Sequence, residues 1–529
     1  MSTRNKWLLS ISVAALVVVA GAAIAAYLLS RRVEPFIRDQ TLDYLRQRFA
    51  SDVDIGSLHV TMPVGSPLDL LLRRGRGATV RVAAERVSLW HQHRRDRPPL
   101  FTVRKLIFQA DLASLWNRPA RVTLVRLEGL QIVIPPRGET APSASPAPPA
   151  KAEQPASAPS VLIETVQADG ARLSVLPKDP RKAPLDFTIH KLRLTTAGPG
   201  IAMRYTAELT NPKPPGRVRC YGSFGPWMSE SPSQTPLDGE YIFEKADLGV
   251  FKGIAGRLDS TGRFAGRLDN IVADGETRTP DFRLRVSGNP VPLRTRFHAI
   301  IDGRNGNTLL DPVEATLGRT RFVVRGGVVR NAGEHGRTVS LDVVFREGYI
   351  EDLLRLAMKG PQPMLRGPVD LKVRIELPPG KGEIIDKLRL SGTFKLPQAH
   401  FTTTTVQNKI DALSSRAQGR PGDKEVGEVP ASLDGDFHLA GGLIDFSSLR
   451  FTIPGAEVAL AGRYTFDTEA VGFRGKLRLQ ARVSQMVTGW KRWALKPVDR
   501  FFSKEGAGTL LRIHIEGTRQ QPRFGVDWK

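Results

Sequence analysis

The feature that most constrains this chain is the alternation of apolar and polar residues in short segments that recur along most of its length. In "LRFTIPGAEVALAGRYTF", Leu449 to Phe466, apolar residues occupy alternate positions, and the pattern breaks at Pro454-Gly455 before it resumes. Successive side chains of a β-strand point to opposite faces, so this pattern is typical of strand, turn and strand with one apolar face. We count roughly 25 such strands and predict an all-β protein.

A long series of one-sided strands can fold in two ways. At 529 residues the chain is too long for one ordinary core, so several domains or one elongated body are expected. A sandwich hides its apolar faces against each other, whereas a single curled sheet leaves a concave apolar face open. At about 4.8 Å between strands, 25 strands would extend on the order of 120 Å. Alternation alone permits both arrangements.

The N-terminus contains an uncharged stretch from Trp7 to Ser30. At about 1.5 Å per residue it reaches roughly 35 Å, enough to cross a hydrocarbon core of about 30 Å. A cleaved signal peptide is the alternative, because Ala23-Ile24-Ala25 resembles a cleavage site. The length of the apolar run and its end against Arg31-Arg32 favour an uncleaved transmembrane helix. The residues that we expect to hold it in the membrane are Trp7, Leu8, Leu9, Leu16, Val17, Val18, Tyr27, Leu28 and Leu29.

Helical segments are few in the rest of the sequence. Residues 33–50 carry apolar residues at near-helical spacing, flanked by arginines, which indicates a helix that caps the sheet or lies on a membrane surface. Further helices are predicted at Tyr349 to Met358, at about Val406 to Arg416 and around Trp490 to Phe502. Residues 135–160 are rich in Pro, Ala and Ser, which predicts an extended linker or a long loop between strands.

No motif of catalysis or metal binding interrupts the strands. His91 and His93 lack further ligands nearby, and Arg73 to Gly77, "RRGRG", lacks the context of a P-loop. We interpret both segments as solvated loops, with contact of the arginines with lipid phosphates or lipopolysaccharide as the alternative. Several aspartates stand beside turns, where the side chain bonds local backbone: Asp269, Asp274, Asp281, Asp302 and Asp311. We therefore expect no enzyme, no catalytic residue, no metal site and no cofactor.

The charge of the chain indicates anionic partners. The net charge is +24, which favours nucleic acid, anionic lipid headgroups or acidic glycolipid. A membrane-tethered nucleic-acid binder would need a cytoplasmic body and a recognised module, and no such module appears, so we expect no nucleic-acid partner. Cys220 is the only cysteine, which excludes an intrachain disulfide framework.

Two regions carry a resemblance to a known family. They are "YIFEKADLGVFKGIAGRLDSTGRFAGRLDNIVADGETRTPDFRL", Tyr241 to Leu284, with its continuation Val291 to Leu317, and a C-terminal region. The latter contains "FHLAGGLIDFSSLRFTIPGAEVALAGRYTF" and "GAGTLLRIHIEGTRQQPRFGVD", Gly506 to Asp527. With the N-terminal plan of anchor, helix and opening strands, the chain resembles bacterial AsmA-like proteins, which are related to TamB, YhdP and the bridge-like lipid transfer proteins.

The resemblance implies an all-β fold in which a single transmembrane helix precedes a long, curled, mostly antiparallel β-groove, shaped like a taco, with a few capping helices. The expected order is a cytoplasmic tip (1–6), the transmembrane anchor (7–30), an amphipathic helix (31–50), an N-terminal groove segment (51–134), the Pro/Ala-rich linker or loop (135–160) and the AsmA-like groove (161–529). Candidate groove residues are Phe451, Ile453, Val458, Leu460, Leu477 and Leu479.

The function implied is the sheltering of phospholipid acyl chains by an inner-membrane protein whose body is periplasmic. It would assist lipid transport between membranes and outer-membrane biogenesis, with phospholipid and the inner membrane as partners and an outer-membrane lipid or protein as a further one. The alternative is a scaffold that transports nothing and assists outer-membrane protein assembly. Basic residues flank both ends of the anchor, so the positive-inside rule does not decide its orientation.

Overall fold

A computed structural model describes the strand-bearing body of the chain. The described residues are 51–61, 79–91, 95, 98–111, 120–134, 161–177, 183–198, 200–226, 228, 231–331, 336–360, 362–380, 382–421, 429–487, 508–518 and 521–527. The predicted anchor, the amphipathic helix, the "RRGRG" segment, His93, the Pro/Ala-rich segment and the predicted helix around Trp490 to Phe502 lie outside them. Within the described residues, none of the helices combines the length and apolar character needed to cross a membrane.

The chain divides into two compact units, Met1–Phe243 and Glu244–Lys529. The strands of the first unit are β1 (Ser51–Thr61), β2 (Thr79–His91), β3 (Phe101–Asp111), β4 (Ala120–Glu128), β5 (Gln131–Ile134), β6 (Val161–Val175), β7 (Leu185–Ala197), β8 (Met203–Pro212) and β9 (Pro215–Phe224), and β10 (Pro236–Asp247) contains the boundary.

The described part of the second unit holds the remaining strands and three short α-helices. Its strands are β11 (Ile254–Ala255), β12 (Arg257–Arg267), β13 (Asn270–Thr279), β14 (Arg283–Leu284), β15 (Leu293–Asp302), β16 (Asn307–Leu317), β17 (Thr320–Val329), β18 (Thr338–Tyr349), β19 (Leu365–Arg366), β20 (Pro368–Leu377), β21 (Arg389–Phe401), β22 (Ala431–Ala440), β23 (Leu443–Ile453), β24 (Ala456–Thr465), β25 (Ala470–Leu479), β26 (Thr509–Thr518) and β27 (Pro522–Asp527). The helices are α1 (Ile350–Ala357), α2 (Ile384–Lys387) and α3 (Thr404–Ala417).

The prediction of an all-β fold is confirmed. Of the described strands, 25 belong to one large sheet, and β11 and β14 form a separate two-stranded sheet. Most neighbours are antiparallel and follow each other in the chain, as hairpins do. The exceptions in the first unit are β4 and β5, which both pair with β6 in parallel. The segment 135–160 therefore connects two strands that are neighbours in one unit.

Turn chemistry explains the hairpins of the second unit. β22 and β23 are joined by Gly441-Gly442, whose φ angles are 58° and 73°. Two consecutive positive φ angles define the type I′ turn that matches the twist of antiparallel strands, and glycine adopts them without steric cost. The Pro454-Gly455 turn joins β23 to β24, where the sequence pattern predicts a break.

One segment that we predict as a single strand is two strands in the structure. "RVTLVRLEGLQIVI" forms β4 and β5, separated at Gly129 and Leu130. Gly129 has a φ of 65°, in the left-handed region, which interrupts the extended backbone. Leu130 is buried in the core of the first unit, so the break directs an apolar side chain inward.

The first unit has a densely packed core around its first strands. Val80 and Leu89 of β2 have no exposed surface, and Val103 of β3 retains 2%. Cross-strand register places Val53 of β1 opposite Leu89, which lies opposite Phe101. This arrangement buries much of the apolar side of the alternating pattern, while Phe101 is partly buried against it.

Helices α1 and α3 confirm the predictions at Tyr349 to Met358 and Val406 to Arg416, whereas the single turn of α2 is not apparent from sequence periodicity. Helix α1 is tied to the β16–β17 turn by Asp352, which is 6% exposed. Its carboxylate accepts hydrogen bonds from the backbone N–H groups of Arg319 and Thr320 and from the Thr320 hydroxyl, at 2.8, 3.1 and 3.0 Å. Asn289 donates to three carbonyls at the end of the helix.

Candidate functional site

The six candidate groove residues lie together on one side of the β23–β25 segment of the sheet. Phe451 lies opposite Val458, which lies opposite Leu477. Leu460, two positions after Val458, belongs to the same side, and so do Ile453 and Leu479 at the end of their strands. The sequence pattern therefore selects residues that the register brings together.

Two longer rows of side chains follow the same side across fourteen strands of the second unit. We call the first the phenylalanine row: Gly262, Gly275, Phe297, Val313, Val324, Val343, Val373, Gly392, Phe437, Phe446, Gly462, Phe473, Ile515 and Phe524. Every member is apolar or glycine, so no side chain in this row carries a charge or a hydrogen-bonding group.

The second row runs beside the first and contains Leu460. We call it the leucine row: Ser260, Thr277, Thr295, Ala315, Phe322, Phe345, Leu371, Phe394, Gly435, Leu449, Leu460, Gly475, Ile513 and Val526. Its first three members are polar and bond within the sheet, as in the 2.7 Å contact between the hydroxyls of Thr277 and Thr295. From Ala315 onward the row is apolar. We refer to the side of the sheet that carries both rows as the apolar face.

Aromatic rings lie over the glycines of the apolar face. A Cβ at Gly392 would come 3.0 Å from Cζ of Phe437, and one at Gly435 would come 3.2 Å from Cε1 of Phe394. The rings themselves are close, with centroids 6.3 Å apart for Phe394 and Phe437. Because glycine has no side chain, a ring from the adjacent strand approaches the backbone closely at these positions.

One part of the apolar face is filled by the protein itself. Ile453 and Leu479 are 3% and 1% exposed and form a buried cluster with Ile410 and Ala417 of α3. Phe451, Leu477 and Leu511 pack against this cluster. Of the six candidates, Ile453 and Leu479 thus belong to an internal core.

Another part of the face is less covered. Leu460, Leu449, Phe446 and Phe473 are only half-buried, and so is Val458. None of these five belongs to a buried cluster of the described residues or packs against one. Single-layer cover by neighbouring strands leaves an apolar side chain in this intermediate state, whereas a second layer would bury it fully. We call these residues, with their row neighbours Ile513 and Ile515, the open segment.

The opposite side of the same strands is charged and largely paired. Ion pairs link Arg325 with Asp311 at 2.9 Å, Arg374 with Asp342 at 2.8 Å and Arg463 with Asp445 at 3.0 Å. The hydrogen bonds from Arg374 lower the pKa of the Asp342 carboxyl below its ordinary value. Each partner is exposed, so this side is an ordinary solvated surface.

The aspartates that the sequence places beside turns are dispersed. Asp302 accepts from the backbone N–H of Arg304 at 2.9 Å, as the turn interpretation predicts. The partners of two others are distant in the chain: Asp281 accepts from the backbone N–H of Arg257 at 2.8 Å, and Asp311 pairs with Arg325. Asp274 instead lies 2.7 Å from His298 across two strands. Among the described residues no group of three or more acidic, histidine or cysteine side chains could hold a metal ion.

The sequence pattern did not identify Phe446 and Phe473, although both lie in the open segment. A bulge between Phe446 and Leu449 explains the first omission, because strict alternation would put residues three apart on opposite faces. Phe473 follows the alternation of β25 and could have been found from "VGFRGKLRL".

Comparisons of the chain with protein-family models, with curated proteins and with solved structures give no match.

Proposed function

We propose that the second unit binds glycerophospholipid by its acyl chains along the open segment of the apolar face. In this proposal residues 7–30 tether the protein to the bacterial inner membrane, and the body, on the periplasmic side, assists lipid passage between membranes and outer-membrane biogenesis. The observation that supports it most is the phenylalanine row, which stays apolar across fourteen strands. The opposite side of the sheet is charged.

The energetics of such a face suit a hydrocarbon ligand. Each buried CH₂ group contributes about 0.8 kcal/mol, so an acyl chain laid along a few strands gains several kcal/mol without specific polar contacts. Thirteen spacings of about 4.8 Å give the two rows a length of roughly 60 Å along the sheet. Since the phenylalanine row offers no polar group at which a lipid would stop, we infer that bound lipid slides along it.

A scaffold that transports nothing is the second candidate, and one observation favours it. Helix α3 fills part of the apolar face with Ile410 and Ala417, which shows that the chain can cover this face with its own side chains. If other segments cover the open segment as well, the sheet is a support for outer-membrane protein assembly and holds no lipid.

A pair of substitutions on β24 separates the two candidates. Leu460 is half-buried on the apolar face, and its neighbour Ala459 is exposed on the other side of the same strand. We expect Leu460→Glu to reduce the phospholipid that co-purifies with the full chain by about tenfold, because a carboxylate beside the acyl chain must be desolvated. Mass spectrometry of extracted lipid measures the loss, with Ala459→Glu as the matched control.

The outcomes are distinct. Retention of lipid by Ala459→Glu and loss by Leu460→Glu, with unchanged melting midpoints, supports lipid binding on this face. A wild-type protein that carries no phospholipid after gentle purification contradicts the proposal and leaves the scaffold. Unfolding of Leu460→Glu alone also contradicts it, since the position would then lie inside a closed core.

A further inference from the structure

Among the described residues, the charged side of the second unit contains a row of arginines that lack an ion-pair partner. Arg278 of β13 lies opposite Arg294 of β15, which lies opposite Thr316 of β16, and Thr316 lies opposite Arg321 of β17. Arg321 and Arg346 flank the paired residues Phe322 and Phe345 on β17 and β18. We call Arg278, Arg294, Arg321 and Arg346 the arginine row. All four are exposed.

The arginine row is uncompensated, in contrast to its surroundings. Among the described residues, no carboxylate lies within ion-pair distance of any of the four guanidinium groups, whereas Arg296, Arg325 and Arg374 on the same side each have one. The nearby acids have other partners or stand apart. Asp259, opposite Arg278, accepts from the backbone N–H of Lys245 at 2.8 Å, and Glu276 bonds Arg296.

Like charges directly opposite each other destabilise a sheet, so Arg278 and Arg294 cost the fold free energy. In the ion-paired part of this side the signs alternate across strands, as in Arg325, Asp342 and Arg374. The cost would be removed by an anionic partner that supplies the missing charges. Arginine is well suited to phosphate because its planar fork donates two parallel hydrogen bonds.

We propose that the arginine row is a docking surface for the phosphate headgroups of an anionic membrane. The choice of a lipid surface rests on the proposed function, because a protein that carries lipid must meet the membrane that supplies or accepts its cargo. A nucleic acid is the less favoured polyanion, since the row contains no aromatic side chain on which bases could stack. The attraction is electrostatic and weakens as salt rises.

The test compares two fourfold variants of the full chain in neutral detergent. The row variant carries R278Q, R294Q, R321Q and R346Q, and the control carries R296Q, R325Q, R374Q and R463Q, which remove the same charge from paired arginines on the same side. Each chain is immobilised by a C-terminal tag, and lipid nanodiscs of phosphatidylcholine, with or without phosphatidylglycerol, are passed over it. Any insertion of the N-terminal segment is common to all chains.

We expect the row variant to bind phosphatidylglycerol nanodiscs roughly 600-fold more weakly than the unaltered chain, since each of the four basic residues near an anionic surface contributes about fivefold in affinity. The loss of affinity in the control should be smaller than the loss in the row variant by about tenfold or more. The double variants R278Q/R294Q and R321Q/R346Q should each show an intermediate loss.

Equal losses in the row variant and the control would overturn the proposal, because net charge alone would then account for binding. If the row variant binds nanodiscs as the unaltered chain does but no longer binds single-stranded DNA, the proposal is overturned in favour of a nucleic acid. The row variant should co-purify with the same amount of phospholipid as the unaltered chain. An unaltered chain that carries no phospholipid but still binds the nanodiscs through the arginine row would refute only the proposed cargo.

Discussion

At the scale of single residues, Asp352 contributes more to the stability of the second unit than its place on a short helix suggests. Its carboxylate accepts three hydrogen bonds from the β16–β17 turn and is almost fully buried. Helix α1 has only eight residues, too few to be stable on its own in water. The helix is therefore held in place by tertiary contacts, of which this carboxylate is the most specific.

Replacement of Asp352 by Ala should be strongly destabilising. The backbone N–H groups of Arg319 and Thr320 would lose their acceptor, and unsatisfied buried donors cost about 1–3 kcal/mol each. We expect a lower melting midpoint and faster amide exchange in α1, measured by calorimetry and hydrogen exchange. Asp370 on β20 is exposed, and Asp370→Ala should change stability by less than about 0.5 kcal/mol. Equal effects of the two substitutions would show that the hydrogen bonds do not secure the helix.

At the scale of elements, helix α3 determines how much of the apolar face is available. Ile410 faces Ile453 and Leu479 in the buried cluster, while Val406, one turn earlier, is 39% exposed. The helix thus converts one end of the face into an ordinary core. It leaves the open segment without comparable cover from the described residues.

Substitutions on α3 can test this division. Ile410→Ala should lower the free energy of unfolding by about 2–4 kcal/mol, because it removes buried methylene groups and leaves a cavity. Val406→Ala on the same helix should be nearly neutral, and a chemical denaturation series compares them. Similar values for both would mean that α3 does not pack on the sheet as described.

The strands and turns of the second unit can be predicted from the sequence better than the apolar face that the strands form together. Alternation places Leu449, Phe451 and Ile453 on one side and predicts the turn at Pro454-Gly455, because both signals are local. Register is not local. The bulge that brings Phe446 to the side of Leu449 arises from pairing with another strand. The burial of Ile453 by α3 is tertiary for the same reason.

At the scale of the whole molecule, the two units use one-sided strands differently. In the first unit, the apolar residues on one side of β2 are buried to 3% exposure or less in a dense core. In the second, the open segment is half-buried and the reverse side carries ion pairs and the arginine row. Among the described residues, the four arginines of the row have no ion-pair partner and contribute to the net charge of +24 of the chain.

The most direct measurement is photo-cross-linking in cells that produce the full chain with a photoreactive amino acid at single positions. Probes at Leu449 and Phe473 lie in the open segment, and probes at Ala461 and Arg474, which lie opposite each other on the charged side, are matched controls. We predict that only the first pair cross-links phospholipid. Absence of lipid from Leu449 and Phe473, or equal labelling of both pairs, would contradict the account of the apolar face as a lipid-binding surface.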